Sequence, residues 1–392
     1  MKKEKLTQEQ EVVLELNKNQ IIIGIPKETS FQENRICLSP ESVGVLTSNN
    51  ITIFIEEGAG AGANFPDSYY SENGAFIVSA SDIYKKSNLI LKVEPPTIEE
   101  VKLMKENQIL ISALQIKAIN KNYLQRLLDK KITAIAFEYM EDEVGEISIV
   151  RAMSEIAGNT SILIASEYLS NVNDGKGLML GGISGVPSAE VVVLGAGTVG
   201  EFASRAAIGL GASVKVFDNH LYKLRRLKNN LNSNIYTSTL QPKLLSKSLR
   251  RADVVIGALR GDFGRTPCVV FEDMIKQMKE RSVIIDVSID QGGCFETSRL
   301  TTHSNPIFIN NKVIHYCVPN ITSRVARTAS NALSNILLPV VLNFLKFNNF
   351  ESCLKEFKGL KNGVYIYNGV LSNKNVSDWY DIDYQDINSL LD

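Results

Sequence analysis

The sequence lacks an excess of charge of either sign. Its 392 residues carry 42 Lys and Arg against 43 Asp and Glu, a formal net charge of -1. That balance leaves no basic face for nucleic acid and no polybasic attraction to an anionic membrane. Long apolar runs are missing as well. Nothing approaches the roughly 18 consecutive apolar residues of a membrane span, and the run Ile336–Leu342 is short and interrupted by Pro339. Residues 1–20 have neither an apolar core nor a small-residue cleavage site, so they do not read as a secretory signal. The five cysteines (Cys37, Cys268, Cys294, Cys317, Cys353) are widely spaced and contain no C-x-x-C pair. This excludes a disulfide framework and a zinc site, no metal is expected, and the thiols read as reduced, in a cytoplasmic protein. Gly 26 and Pro 11 are ordinary usage, which excludes collagen-like and disordered classes.

What is present is a globular α/β pattern. The length allows two or three domains, each able to bury a core. Residues 1–20 suggest a charged helical extension, with Leu6, Val12, Val13 and Leu16 at roughly helical spacing. From Ile21, short apolar runs (21–25, 51–55, 88–93, 108–114, 132–137) alternate with polar, helix-compatible stretches. A helical pattern from Ser154 to Leu169 bridges to a second series of runs at 191–195, 214–218, 253–258 and 282–288. An apolar helix is expected over Ala332–Phe344, then a Gly-, Asn- and Tyr-rich tail. Buried strands separated by helices predict mostly parallel sheets. The expected fold is α/β, two Rossmann-like domains with a cleft between them.

The strongest local signal is the strand-like Val191–Leu194 followed by Gly195-Ala196-Gly197-Thr198-Val199-Gly200 and a helical stretch. In such a G-x-G-x-x-G turn the first glycine permits the tight bend, the second admits a pyrophosphate, and the third lets helix pack on strand. The helix N-terminus then offers free N–H groups to phosphate. Asp218 ends the next strand, where an acid grips the ribose hydroxyls and repels a 2′-phosphate, so NAD is expected over NADP. Lys223, Arg225 and Arg226 follow; they read as a solvated helix face, with Lys223 best placed to touch the ribose. A second acid, Asp290 in Asp286-Val287-Ser288-Ile289-Asp290-Gln291-Gly292-Gly293, stands at a strand's carboxyl end, where open α/β sheets bind ligands. It is a candidate near the nicotinamide; the alternative is a turn acid capping a helix.

With these motifs in place the chain resembles alanine dehydrogenase and its relatives, among them the NAD(H)-binding domain of proton-translocating transhydrogenase. The resemblance spans residues 21–388 and rests on GIPKETSFQENRICLSP (24–40), EEGAGAGANFPDSYY (56–70), MSEIAGN (153–159), GGISGVPSAEVVVLGAGTVGE (181–201), IDVSIDQGGCFETSR (285–299) and HYCVPNITS (315–323). It implies a substrate domain built from both chain ends (21–150 plus 322–392), a central NAD-binding domain (151–321) and a homo-oligomer, often a hexamer. It puts Arg35 on the substrate carboxylate, for which a bidentate fork suits; a surface ion pair is the minority reading for an arginine in this motif. It puts Asn320 beside the substrate and makes Asp290 the catalytic aspartate. It assigns cofactor contacts to Ser154, Gly195, Ala196, Gly197, Thr198, Val199, Gly200, Asp218, Lys223, Leu259, Val287, Ile289, Asp290, Arg299, Val318, Asn320 and Ile321.

Two catalytic positions depart from that family. Its K-V-K-E-P, whose second lysine contacts the keto oxygen, is Lys92-Val93-Glu94-Pro95-Pro96 here. Its L-H-L histidine is Gln115, and all three histidines (His220, His303, His315) lie beyond residue 219. Gln115 orients a carbonyl or water but exchanges no proton. Lys92 shares a strand face with Glu94 by alternation, and Lys117 stands in the same relation to Gln115, so either is a candidate replacement cation; equally, both are solvent-facing. The expected function is oxidative deamination of L-alanine to pyruvate and ammonium; the alternatives are a transhydrogenase-like NAD(H) component and a non-catalytic NAD-binding oligomer.

Overall fold

The structure is a computed structural model that describes residues 21–116, 119–261, 265–344, 346–347 and 349–392. The expected helical extension and Lys117 lie outside the described residues. Six strands come first: β1 Ile22–Ile25, β2 Thr52–Glu56, β3 Phe76–Val78, β4 Leu89–Leu91, β5 Ile109–Ser112 and β6 Thr133–Ala136. β1, β4 and β6 are buried along their whole length. Strands covered on both faces by helices must be apolar at every position, which is why they read as continuous Ile, Leu and Ala runs. A second set follows: β7 Glu190–Leu194, β8 Ser213–Phe217, β9 Tyr236–Ser238, β10 Val254–Gly257, β11 Val283–Asp286, β12 Ile307–Asn310 and β13 Val313–Tyr316. The chain then returns to the first sheet with β14 Val364–Tyr367 and β15 Val370–Leu371.

The first sheet has the order β15-β14-β6-β5-β4-β1-β2-β3 and the second β12-β13-β11-β10-β7-β8-β9. Both are parallel except at one edge, where β14 and β15, or β12, run antiparallel. In each sheet the chain winds outward from a central strand and then resumes on that strand's other side. The reversal falls between β1 and β4 in one sheet and between β7 and β10 in the other. Loops leaving the carboxyl ends of such a pair diverge and open a crevice, the place where α/β sheets bind ligands.

The helix Ser148–Leu169 belongs to both halves: Ile149 packs in the first core, and Ala157, Ile162, Ala165 and Leu169 in the second. It starts six residues before the apolar pattern predicts, because Val150, Met153 and Ser154 line the cleft. The helix Ala326–Phe344 also starts early. Its first turns are polar because Ser330 and Ser334, both fully buried, accept backbone N–H groups from Ile36 and Ser39 at 2.9 and 2.8 Å. The stretch Ile321–Phe344 is apolar and long enough to cross a bilayer by length and composition alone. Leu333, Leu337 and Val341 of that stretch pack in the first core. In the Gly-, Asn- and Tyr-rich tail, Asn368 and Gly369, with φ of 48° and 80°, form the two-residue turn between β14 and β15.

Candidate active site

The glycine turn sits at the β7/β10 reversal. Gly195 has φ +114°, and a Cβ there would stand 2.4 Å from the Ala258 carbonyl oxygen; a Cβ on Gly200 would stand 1.9 Å from that of Gly195. Only glycine fits either place. Gly197 is different: a Cβ there meets nothing within 4 Å, so its face opens above the N-terminus of helix Thr198–Gly209. That terminus carries no side-chain cap, which leaves its N–H groups for an anion. Asp218 is buried beside the turn; one oxygen accepts from Ala196 N at 2.8 Å and the other from His220 N at 2.7 Å. An open cradle over a helix N-terminus with a fixed acid at the next strand end fits a dinucleotide.

The other wall of the cleft comes from the β1/β4 reversal. Arg35 follows β1 and is buried. Glu33 binds it twice, Nε to Oε1 at 2.8 Å and Nη2 to Oε2 at 2.5 Å. In an extended segment residues two apart share a face, so a Glu-x-Arg spacing makes this pair. The remaining donors reach Thr322 Oγ1 at 3.1 Å, Met153 Sδ at 3.5 Å and Glu94 Oε1 at 3.3 Å. All five guanidinium N–H groups are thus engaged. Burial opposes charge on Glu33, but its bonds to Arg35 outweigh this and hold its carboxyl below the usual range. Glu94 behaves oppositely: burial pushes it up, Arg35 pulls it down, and Glu33 and Glu28 raise it again, to about 7.

Gln115 Nε2 donates to Glu94 Oε2 in a short contact. Its backbone is left-handed, φ 46°, and is pinned by Glu138, whose Oε1 accepts from Leu114 N at 2.7 Å and Gln115 N at 2.9 Å. Glu138 Oε2 is buried without a hydrogen-bond partner, and burial raises that carboxyl. Across the cleft, the turn after β11 carries Asp290, whose Oδ1 accepts from Asn320 N at 3.1 Å. Asn320 is also left-handed, φ 53°, and its Nδ2 donates to Glu33 Oε2 at 2.6 Å, joining the two walls. Asp290 meets solvent through the cleft, yet protein on both sides desolvates it and moves its carboxyl upward. Non-glycine residues with positive φ are uncommon and costly, and two of them face one another here.

The inner cleft encloses about 380 Å³ and opens into a wider mouth of about 910 Å³. Arg35, Gln115, Ser154, Val199, Leu259, Val287, Asp290, Asn320 and Ile321 line the inner part, and Lys223 the mouth. Ile289 and Val318 are buried beside it. Arg299 stacks over the Phe308 ring at 4.1 Å. One expected residue, Lys92, lies away from the cleft. Lys92 is buried, with Nζ bonded to Glu100 Oε1 at 2.9 Å and paired with Glu28 Oε2 at 3.2 Å. Those two carboxylates take up the ammonium, so Lys92 supplies no cation to the cleft. Glu33, Thr322, Met153, Glu138 and Arg260 are cleft or supporting residues that the sequence reading missed. Only Glu33 carried a local signal, its spacing to Arg35. Four cysteines are buried and Cys268 is exposed; all five are free.

Fold and cleft together define a two-domain, dinucleotide-binding protein of the oxidoreductase class. The chain belongs to the Alanine dehydrogenase/PNT family: the N-terminal domain of that family matches residues 24–157 and the C-terminal domain residues 161–374. An alanine dehydrogenase of Staphylococcus epidermidis is 37% identical over 370 residues, covering 94% of this chain and 99% of that one. Alanine dehydrogenase 2 of Staphylococcus aureus is 36% identical over the same length. A solved L-alanine dehydrogenase superposes with a TM-score of 0.86 at 34% identity, covering 95% of this chain and all of that one. The transhydrogenase from Sinorhizobium meliloti shares the fold, with a TM-score of 0.77 at 24% identity over 90% of this chain.

Proposed function

We propose that this protein catalyses the reversible, NAD-dependent oxidative deamination of a small L-amino acid, L-alanine foremost, to its 2-oxo acid and ammonium. The observation that carries this reading is the placement of a buried, forked arginine opposite Asp290, at the inner end of the same cleft that the glycine turn borders. The likeness to alanine dehydrogenases over 94% of the chain supports it. NAD, when bound, supplies the acceptor for the hydride leaving the substrate Cα. Arg35 holds the substrate carboxylate, exchanging its weak Met153 contact, and if needed its Glu94 contact, for charge-assisted bonds. Asn320 and Asp290, joined by a 3.1 Å hydrogen bond, face the Cα together and position it. A cytoplasmic homo-oligomer, with residues 21–150 and 322–392 forming the substrate domain, goes with the reading.

One observation favours a second reading. Glu94 already occupies part of Arg35, as a substrate carboxylate would. A transhydrogenase-like component that binds NAD(H) without an amino acid is compatible with that arrangement. NADH formation at 340 nm with purified protein, NAD and a panel of L-amino acids separates the two. Turnover led by alanine is the expected result; tight NADH binding with no turnover of any amino acid would overturn the dehydrogenase reading.

A further inference from the structure

Glu94 and Gln115 occupy the two places where the family resemblance puts a lysine and a histidine. Gln115 holds one oxygen of Glu94, and the other reaches Arg35 at 3.3 Å, the contact that a substrate carboxylate displaces, which leaves that oxygen free for a proton. Its side chain is 11% exposed, and that exposure is toward the cleft it lines with Arg35 and Asp290. A carboxamide cannot exchange a proton at these pH values, so of the pair only Glu94 can.

We propose that Glu94 is the proton-transferring group of this cleft, with Gln115 as its positioning residue. The inference rests on the amino-acid dehydrogenase reading. After hydride loss the substrate is an iminium, which water attacks at carbon. The new C–O bond forms as the water proton passes to the Glu94 carboxylate, giving a neutral carbinolamine. The acid form of Glu94 then returns that proton to the amino nitrogen. The C–N bond breaks with its electron pair on nitrogen, and the departing ammonia takes the hydroxyl proton. The sum is iminium plus water to carbonyl plus ammonium, with Glu94 ionised again. In the reverse direction the attacking ammonium gives its proton to the keto oxygen, the Glu94 carboxylate takes a proton from the amino nitrogen, and the acid so formed returns it to the hydroxyl as water leaves.

The surroundings keep both protonation states within reach. Glu28 accepts from Glu94 N at 3.3 Å, Glu33 shares Arg35 with it, and Glu138 stands behind Gln115. Asp290 and Arg260 face it from the second domain. Burial together with Glu33 and Glu28 outweighs Arg35 and lifts the carboxyl to about 7, where a general acid-base group works best near neutral pH.

The test compares wild type, E94Q and E94D for pH-dependent kcat with the amino acid that wild type turns over. NADH binding, read by fluorescence quenching, checks that each variant keeps its cofactor site. E94Q is expected to lose about 10²–10⁴-fold in kcat with KM and NADH affinity changed little, and to lose the limb of the pH profile near neutrality. E94D should recover part of the rate, and Q115A should shift that limb without abolishing turnover. E94Q turnover within a few-fold of wild type, with an unchanged pH profile, overturns the inference and leaves the dehydrogenase reading intact. Wild-type protein that binds NADH but turns over no amino acid overturns both.

Discussion

Arg35 shows what a single residue contributes that a similar charge would not. Its five donors meet Glu33, Glu94, Thr322 and Met153, and only a planar fork reaches all of them. A lysine has three donors and none in a fork. R35K is therefore expected to leave Glu33 and Glu94 under-neutralised and to raise KM for the amino acid about 10- to 100-fold, the worth of one or two charge-assisted bonds. NADH affinity should stay near wild type, since the cofactor turn is on the opposite sheet. Steady-state kinetics and an NADH titration check both halves; an unchanged KM would remove Arg35 from the substrate. Asp218 acts on the choice of cofactor. Its carboxylate is tethered to Ala196 N and His220 N, so it cannot swing away from a 2′-phosphate. Replacing it in D218S should narrow the preference for NADH over NADPH by at least tenfold, read as a ratio of dissociation constants.

At the scale of elements, the segment carrying Arg35 is irregular and owes its position to the helix Ala326–Phe344 and the turn that leads into it. Ser323, Ser330 and Ser334 accept from Asn34 N, Ile36 N and Ser39 N at 2.9, 2.9 and 2.8 Å. S330A removes the acceptor of a buried N–H, which costs about 1–3 kcal/mol. It should lower the unfolding midpoint and, because Ile36 adjoins Arg35, raise KM as well; denaturant melts with kinetics test it. The β12–β13 hairpin has its own pH sensitivity. His315 is fully buried, with Nδ1 against Val313 O at 3.0 Å, and burial lowers its pKa from 6.5 to about 4. A depressed pKa means the neutral form is what the fold accepts. Its stabilisation is complete above pH 6.5 and is lost as pH falls toward 4. Wild type should lose up to about 3 kcal/mol more than H315Q across that window in chemical denaturation. These elements also mark the limit of what the sequence reveals. β1, β4, β7, β10 and β11 were legible because strands buried on both faces are continuous apolar runs. β3 and β9 are three-residue edge strands with no fully buried residue, and no period exists in so short a segment. The glycine turn and Asp218 were legible because their geometry is local. The Arg35–Glu94–Gln115–Thr322 cluster was not, since its partners are 21 to 287 residues apart and only the two reversals bring them together.

At the scale of the molecule, the two sheets are not independent bodies joined by a tether. The helix Ser148–Leu169 contributes Ile149 to one core and Ala157 to Leu169 to the other, and between them Met153 touches Arg35 while Ser154 lines the cleft. One turn further on, Gly158 packs so closely on the helix of the glycine turn that a Cβ would stand 2.5 Å from the Val199 carbonyl oxygen and 2.9 Å from Ala203 N. Both are backbone atoms, so G158A must move one helix against the other. Overpacking of this kind costs about 1–3 kcal/mol, and here the displaced element carries Val199, itself a cleft residue. The expected result is weaker NADH binding together with a lower midpoint, although Gly158 lies outside the cofactor cradle. The shared helix also predicts how the ligand acts on the whole chain. NADH at 100 times its dissociation constant stabilises the state it binds by about 2.7 kcal/mol. If the helix couples the sheets, calorimetry should show one transition that moves upward as a unit with NADH. Two transitions, with only one responding, would mean that the cores unfold separately. In that case G158A should weaken NADH binding and lower only the responding transition. G158A with wild-type NADH affinity and an unchanged melt would show that the helix contact at Gly158 has slack, and that the cleft is set by the two sheets alone.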